Sequence, residues 1–240
     1  MPVIACNCRV CQSDDAKDNR LRASVLIETQ GKNFVIDTGP DFRQQMLREK
    51  VRRLDAILFT HQHKDHIAGL DDVRAFNFQT KKAVEIYAEQ RVIDSLKLEF
   101  AYAFEQAPYP GTPEFNIHKI STRQFTVEGT PIQPLRLYHY KLPVLGFRIG
   151  DFSYMTDVSA IPDQAIEQAR GSRVVVLDAL RHKPHISHFN LEQAIAAAEK
   201  IGAPETYFTH ISHAMGRHAR INPQLPKGMA LGYDGQKISI

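Results

Sequence analysis

Between Ala56 and Leu70 the chain reads Ala-Ile-Leu-Phe-Thr-His61-Gln-His63-Lys-Asp65-His66-Ile-Ala-Gly69-Leu. A short apolar run, the pattern of a buried strand, ends at Thr60, and four groups able to bind a metal follow within six residues. This combination demands a fold in which a buried strand opens directly onto a polar site. Imidazole and carboxylate suit zinc, manganese or iron(II). On an extended or turning backbone His61 and His63 aim at one ion, and Asp65 and His66 are offset toward a second. Two ions about 3.5–4 Å apart clamp an anionic group between them. Gly69 is expected to let the chain turn away. The alternative is a His-rich surface loop, which four ligand-type residues directly behind a buried strand disfavour.

Further apolar runs predict strands over Ser24–Glu28, Phe34–Asp37, Val84–Tyr87, Thr130–Tyr138, Gly146–Ile149, Ser153–Met155, Val174–Leu177 and Glu205–Phe208. Helical spacing marks Asp41–Arg48, Glu89–Phe100 and Asn190–Ile201. The last has Asn190 at the N-cap, Gln193 completing a capping box and Gly202 as the stop. Interleaved strands and helices predict an α/β (α+β) architecture, and the number of strands favours two sheets with helices outside, although periodicity alone does not separate that sandwich from a single doubly wound sheet. No repeat or long linker divides residues 1–240, so one domain is expected; Ala107–Glu114, with its prolines, reads as a loop inside it.

With 43% hydrophobic and 24% charged residues the composition is that of an ordinary globular chain. A net charge of +3 points neither to nucleic acid nor to an anionic membrane, but suits a small anionic substrate. No apolar run is long enough to span a bilayer and no leader is evident, so a cytoplasmic location without membrane attachment is expected. A homodimer is left open.

The run Thr60-His61-x-His63-x-Asp65-His66 with Gly69 resembles the signature of the metallo-β-lactamase superfamily. That resemblance implies a four-layer αββα sandwich and three more ligands downstream, for which His139, Asp157 and His210, each at a strand end, are in the right order. It implies one ion held by His61, His63, His139 and Asp157, and another by Asp65, His66, His210 and the same Asp157. Asp37 matches a position that orients a ligand imidazole, although an Asx turn before Gly39-Pro40 explains it almost as well.

The three cysteines, Cys6, Cys8 and Cys11, are too few and too close for a disulfide framework. With His213 they complete a four-ligand structural zinc site; three free thiols are the alternative. Three N-terminal cysteines with Thr209-His210-x-Ser212-His213 and the closing Gly232-Tyr-Asp234-Gly235 hairpin resemble the branch that contains the phosphoribosyl 1,2-cyclic phosphate phosphodiesterase of the carbon–phosphorus lyase pathway. Members of that branch carry a Gly- and Ser-rich strand-loop before the cysteines, which here begin at position 6. The branch also places a non-ligand catalytic histidine before an Asn-containing helix start, which His188 matches as general acid or phosphate binder. A structural role at the helix entry is its rival. His182 and His185, with Arg181 and Lys183, either line the site or face solvent; His118 and His218 read as surface residues.

The expected function is a metal-dependent hydrolase with two catalytic divalent ions, zinc or manganese, and one structural zinc. It acts on small cyclic or nucleotide-like phosphodiesters through an activated water, with Asp65 and His188 in catalytic roles. The alternatives are an RNA- or tRNA-processing nuclease, disfavoured because no dense basic run offers a nucleic-acid exosite, and a non-catalytic metal-binding module.

Overall fold

The computed structural model describes residues 1–105 and 109–240. They form two compact units, Arg22–Gly129 and a second made of Met1–Leu21 with Thr130–Ile240.

The first unit is built on a five-stranded sheet in the order β1-β2-β3-β4-β5. Its strands are β1 (Val25–Thr29), β2 (Lys32–Ile36), β3 (Ala56–Leu58), β4 (Val84–Ala88) and β5 (Phe115–Lys119). β1 and β2 are an antiparallel pair; the remaining neighbours are parallel. Parallel neighbours need crossovers. These are supplied by α1 (Phe42–Arg48), by α2 (Lys64–Ile67) with α3 (Arg74–Thr80), and by α4 (Gln90–Glu99). Val35, Ile57 and Ile86 align across three strands and join one buried cluster with Phe42, Ile67 and Leu96 from the helices. Each such side chain contributes about 1.5–3 kcal/mol relative to leaving it in water. A short strand, β6 (Phe125–Val127), closes this stretch of chain.

In the second unit the strands run in the order β12-β11-β10-β9-β8-β7. They are β7 (Thr130–His139), β8 (Leu142–Ile149), β9 (Phe152–Met155), β10 (Val174–Asp178), β11 (Glu205–Thr209) and β12 (Met229–Leu231). β7, β8 and β9 form an antiparallel meander, whereas β9 to β12 are parallel neighbours. The carboxyl ends of β7, β9, β10 and β11 therefore share one edge of the sheet. The helices are α5 (Asp163–Ala169), α6 (Leu191–Ile201) and α7 (His218–Ile221). α6 carries the expected capping box: Gln193 N donates to Asn190 Oδ1 at 2.8 Å, Asn190 N donates to Gln193 Oε1 at 3.0 Å, and Gly202 ends the helix at φ 75°. Ala194, Ala198 and Ile201 face the core with Val175 and Leu177 of β10.

The N-terminal segment is stitched into this second unit. The Met1 amine donates to Ile211 O at 2.7 Å, Arg217 Nε to Arg9 O at 3.0 Å, and Arg20 Nε to Gly232 O at 2.7 Å.

The predicted strands and helices are present, with ends shifted by one or two residues at most positions. β8 begins four residues earlier than expected, because Leu142–Leu145 pair with the end of β7 despite Pro143. β5, β6, β12, α2, α3, α5 and α7 carried no sufficient sequence signal, being short or weakly apolar. The closing segment is a turn rather than a hairpin: Gln236 N donates to Tyr233 O at 3.2 Å, with no strand after β12 among the described residues. Residues 109–114 are loop; Ala107 and Pro108 of the predicted loop lie outside the described residues. No helix among the described residues is long and apolar enough to cross a membrane.

Candidate metal centre

In the first unit the ligand-type residues follow β3. His63 is extended (φ −66°, ψ 149°) and caps the single turn of α2, which carries Asp65 and His66. The expected extended or turning segment thus becomes helical after His63. His61 Nε2 and His63 Nδ1 are 3.0 Å apart, near the roughly 3.3 Å that separates neighbouring nitrogen ligands of a tetrahedral ion with bonds of about 2.0–2.1 Å. The His61 and His66 ring centroids are 4.2 Å apart, and His66 Nε2 lies 3.7 Å from Asp65 Oδ2.

Asp37 organises this group from behind. It is fully buried and left-handed, φ 64°, at the residue after β2. Its Oδ1 accepts from Thr60 N at 2.9 Å, and its Oδ2 accepts from the Thr60 hydroxyl at 2.8 Å and from His66 Nδ1 at 2.7 Å. Holding Nδ1 directs the other ring nitrogen of His66 toward a ligand. Burial pushes the Asp37 carboxyl up, and the bonds from His66 and Thr60 oppose that shift.

Two glycines allow the turns to touch. A Cβ on Gly39 would lie 2.3 Å from Asp65 O, and one on Gly69 would lie 2.1 Å from Gly39 O. Gly69 is thus required for close backbone approach, where its N–H donates to Thr38 O at 2.8 Å, and not for a turn.

In the second unit His139, Asp157, Asp178 and His210 sit at or just beyond the ends of β7, β9, β10 and β11, all at the shared edge. Asp157 and His210 are both left-handed, at φ 55°. His210 Nε2 is 3.5 Å from Asp157 Oδ1. His188 approaches from the loop before α6: its ring centroid is 4.6 Å from His139 and 4.7 Å from His210, and its Nε2 is 4.0 Å from Asp157 Oδ1. Ligand atoms of His139, Asp157 and His188 all lie within 4.8 Å of one another, a donor set that fits a divalent ion.

Asp178 was not singled out from the sequence. It is completely buried, and its Oδ2 accepts from Val158 N at 2.8 Å and from His188 Nδ1 at 2.9 Å. Burial pushes this carboxyl up, while His188 and His210 oppose the shift. A signal existed: Val176-Leu-Asp178 repeats the pattern of Val35-Ile-Asp37, a buried apolar strand closed by aspartate.

Cys6, Cys8 and Cys11 converge on His213. Their sulfurs lie 3.3, 3.5 and 3.4 Å from His213 Nδ1. Sulfur and nitrogen ligands of a tetrahedral zinc, at bonds of about 2.3 and 2.0 Å, are separated by about 3.5 Å, so the four residues fit that ion. The Cys11 amide holds the Cys8 thiol down at about 6, which favours the thiolate that a metal needs.

His118 is on the surface beside Glu85, as expected. His218 is not. It is buried, its Nδ1 accepts from Arg20 Nη2 at 2.9 Å, and its backbone N–H donates to Asp18 Oδ1 at 2.6 Å.

Residues 32–211 match the family model of the β-lactamase superfamily domain, and the chain belongs to the metallo-β-lactamase superfamily. The fold implies divalent metals. A crystal structure described as a new diphosphatase from the PhnP family is 42% identical, with a TM-score of 0.93, covering 99% of this chain and 91% of that one. This agrees with the branch that the cysteine and histidine motifs resemble. An octanoyltransferase of Porphyromonas gingivalis is 42% identical over 243 residues, which is 100% of this chain and 49% of that protein; the chain thus spans about half its length. A ribonuclease Z of Bradyrhizobium diazoefficiens is 43% identical over 53 residues, 21% of this chain and 18% of the relative.

Proposed function

We propose that the protein is a phosphodiesterase acting on small cyclic or nucleotide-like phosphodiesters, with residues 1–240 working as one hydrolase domain. The supporting observation is the pairing of His188 with buried Asp178 beside His139, Asp157 and His210. In the proposal His61, His63, Asp65 and His66 of the first unit, and His139, Asp157 and His210 of the second, are ligands of divalent ions, zinc or manganese. Bound there, the ions supply positive charge for phosphoryl oxygens and lower the pKa of water toward neutrality.

The remaining chemistry belongs to side chains. Nδ1 of His188 is committed to Asp178, so Nε2 is the atom that faces substrate. The carboxylate orients the ring, and a leaving alkoxide takes its proton from Nε2. Asp65 has two duties, as ligand and as proton acceptor for the attacking water. Cys6, Cys8, Cys11 and His213 hold a structural zinc. A small phosphodiester in the cytoplasm is the expected partner.

The octanoyltransferase name describes a protein of which this chain matches 49%, and it weighs less than a similarity that spans nearly the whole of both chains. The diphosphatase similarity, spanning nearly the whole chain, weighs more than the 53-residue ribonuclease match.

Metal-loaded protein should hydrolyse bis-p-nitrophenyl phosphate or 2′,3′-cyclic nucleotides, and His188→Ala should lower kcat by about 10²–10⁴-fold. Full metal occupancy without turnover of any diester, or an equally active His188→Ala variant, would contradict the proposal.

A further inference from the structure

Between β10 and α6 the stretch Arg181–Asn190 reads Arg-His-Lys-Pro-His-Ile-Ser-His-Phe-Asn. It contains two permanent cations, three histidines and no carboxylate. Diester hydrolysis as described uses only His188 of these. The loop is nonetheless braced. The Arg181 guanidinium donates to Lys183 O at 3.1 Å and to Pro184 O at 2.9 Å, and His182 Nε2 donates to Met215 O at 2.9 Å.

The braces present His185, half-buried, with its ring centroid 5.2 Å from that of His188 and the planes inclined by 48°. His185 Nδ1 accepts from Ser187 N at 3.3 Å and from the Ser187 hydroxyl at 3.2 Å. That fixes the tautomer and makes Nε2–H the donor available for a ligand. Burial, together with the neighbouring His188 and Arg181, lowers the ring's pKa, consistent with a neutral donor.

We propose that His185 binds a second phosphoryl group adjacent to the one attacked, so that diphosphate diesters are preferred over monophosphate diesters. This deepens the phosphodiesterase reading and rests on it. An imidazole one ring beyond the proton donor is placed to meet the neighbouring group of the substrate, and the carboxylate-free loop favours its negative charge. In the reaction, the water oxygen bonds to one phosphorus and the bridging P–O bond breaks. The leaving phosphate takes the proton delivered by His188, and both products are phosphate monoesters.

The test compares diadenosine diphosphate with adenylyl-adenosine dinucleotide, which differ by one phosphoryl group, on the metal-loaded full chain. The wild type should favour the diphosphate. His185→Ala should lower the ratio of kcat/KM, diphosphate over dinucleotide, by about tenfold through KM, as expected for one lost hydrogen bond to a charged group. His185→Gln, which retains a donor, should recover most of that ratio, and it keeps the test decisive where the alanine variant folds poorly. An unchanged ratio in both variants overturns the proposal. Cleavage of the dinucleotide alone by the wild type overturns it while leaving the phosphodiesterase reading intact. Cleavage of neither substrate also overturns it, and removes the phosphodiesterase reading as well only where bis-p-nitrophenyl phosphate and 2′,3′-cyclic nucleotides are left intact too.

Discussion

At the scale of single residues the site depends on three strand ends in left-handed backbone: Asp37, Asp157 and His210. For an L-residue this conformation costs about 1–2 kcal/mol, which the surrounding packing and hydrogen bonds must offset. His61, His63, Asp65 and His66 were legible because they are consecutive and follow an apolar strand. Asp178 was legible only as the aspartate closing a buried strand, like Asp37; nothing in that pattern states that it will meet a histidine ten residues on. Asp178→Asn should lower kcat about 10–100-fold while moving KM little, because the amide still fits but holds His188 less well; steady-state kinetics on bis-p-nitrophenyl phosphate read this directly. His218 offers a second test. Burial and then Arg20 hold its folded pKa below 6.5, so as pH falls through 6.5 the unfolded chain takes up a proton that the folded chain resists. Stability should therefore drop on acidification. His218→Asn keeps an acceptor for Arg20 and should flatten that drop, as measured by unfolding midpoints at pH 7.5 and 5.5.

At the scale of elements, sequence pattern found the strands whose residues are buried on both faces, such as β3 and β10, and the one helix with a complete capping box. It missed β5 and α2 for different reasons. β5 is a five-residue edge strand with its second, fourth and fifth residues exposed, so its apolar signal is thin. α2 is a four-residue turn stabilised by tertiary contacts, not by helical propensity. That turn rests against the Gly39 loop with no room for a methyl group. Gly39→Ala must push Asp65 O away, so it should destabilise the protein by about 1–3 kcal/mol and weaken metal retention. Thermal unfolding and metal content on one preparation check both effects.

At the scale of the whole molecule, the first 21 residues belong with Thr130–Ile240 and not with the strands that follow them. Sequence reading linked the two ends only through the cysteines and His213; the contacts of Arg20 with Gly232 and His218 carried no pattern. Cys8→Ser should reduce bound zinc by one equivalent per chain and make the N-terminal segment markedly more sensitive to limited proteolysis. The central proposal is that divalent ions held by His61, His63, Asp65, His66, His139, Asp157 and His210 drive phosphodiester hydrolysis. Its most direct test is a titration of metal-free protein with manganese after the cysteine site has been filled with zinc, following bis-p-nitrophenyl phosphate hydrolysis. Activity should rise to a plateau at two equivalents per chain. A plateau at one equivalent, or two bound equivalents without hydrolysis, would contradict the account.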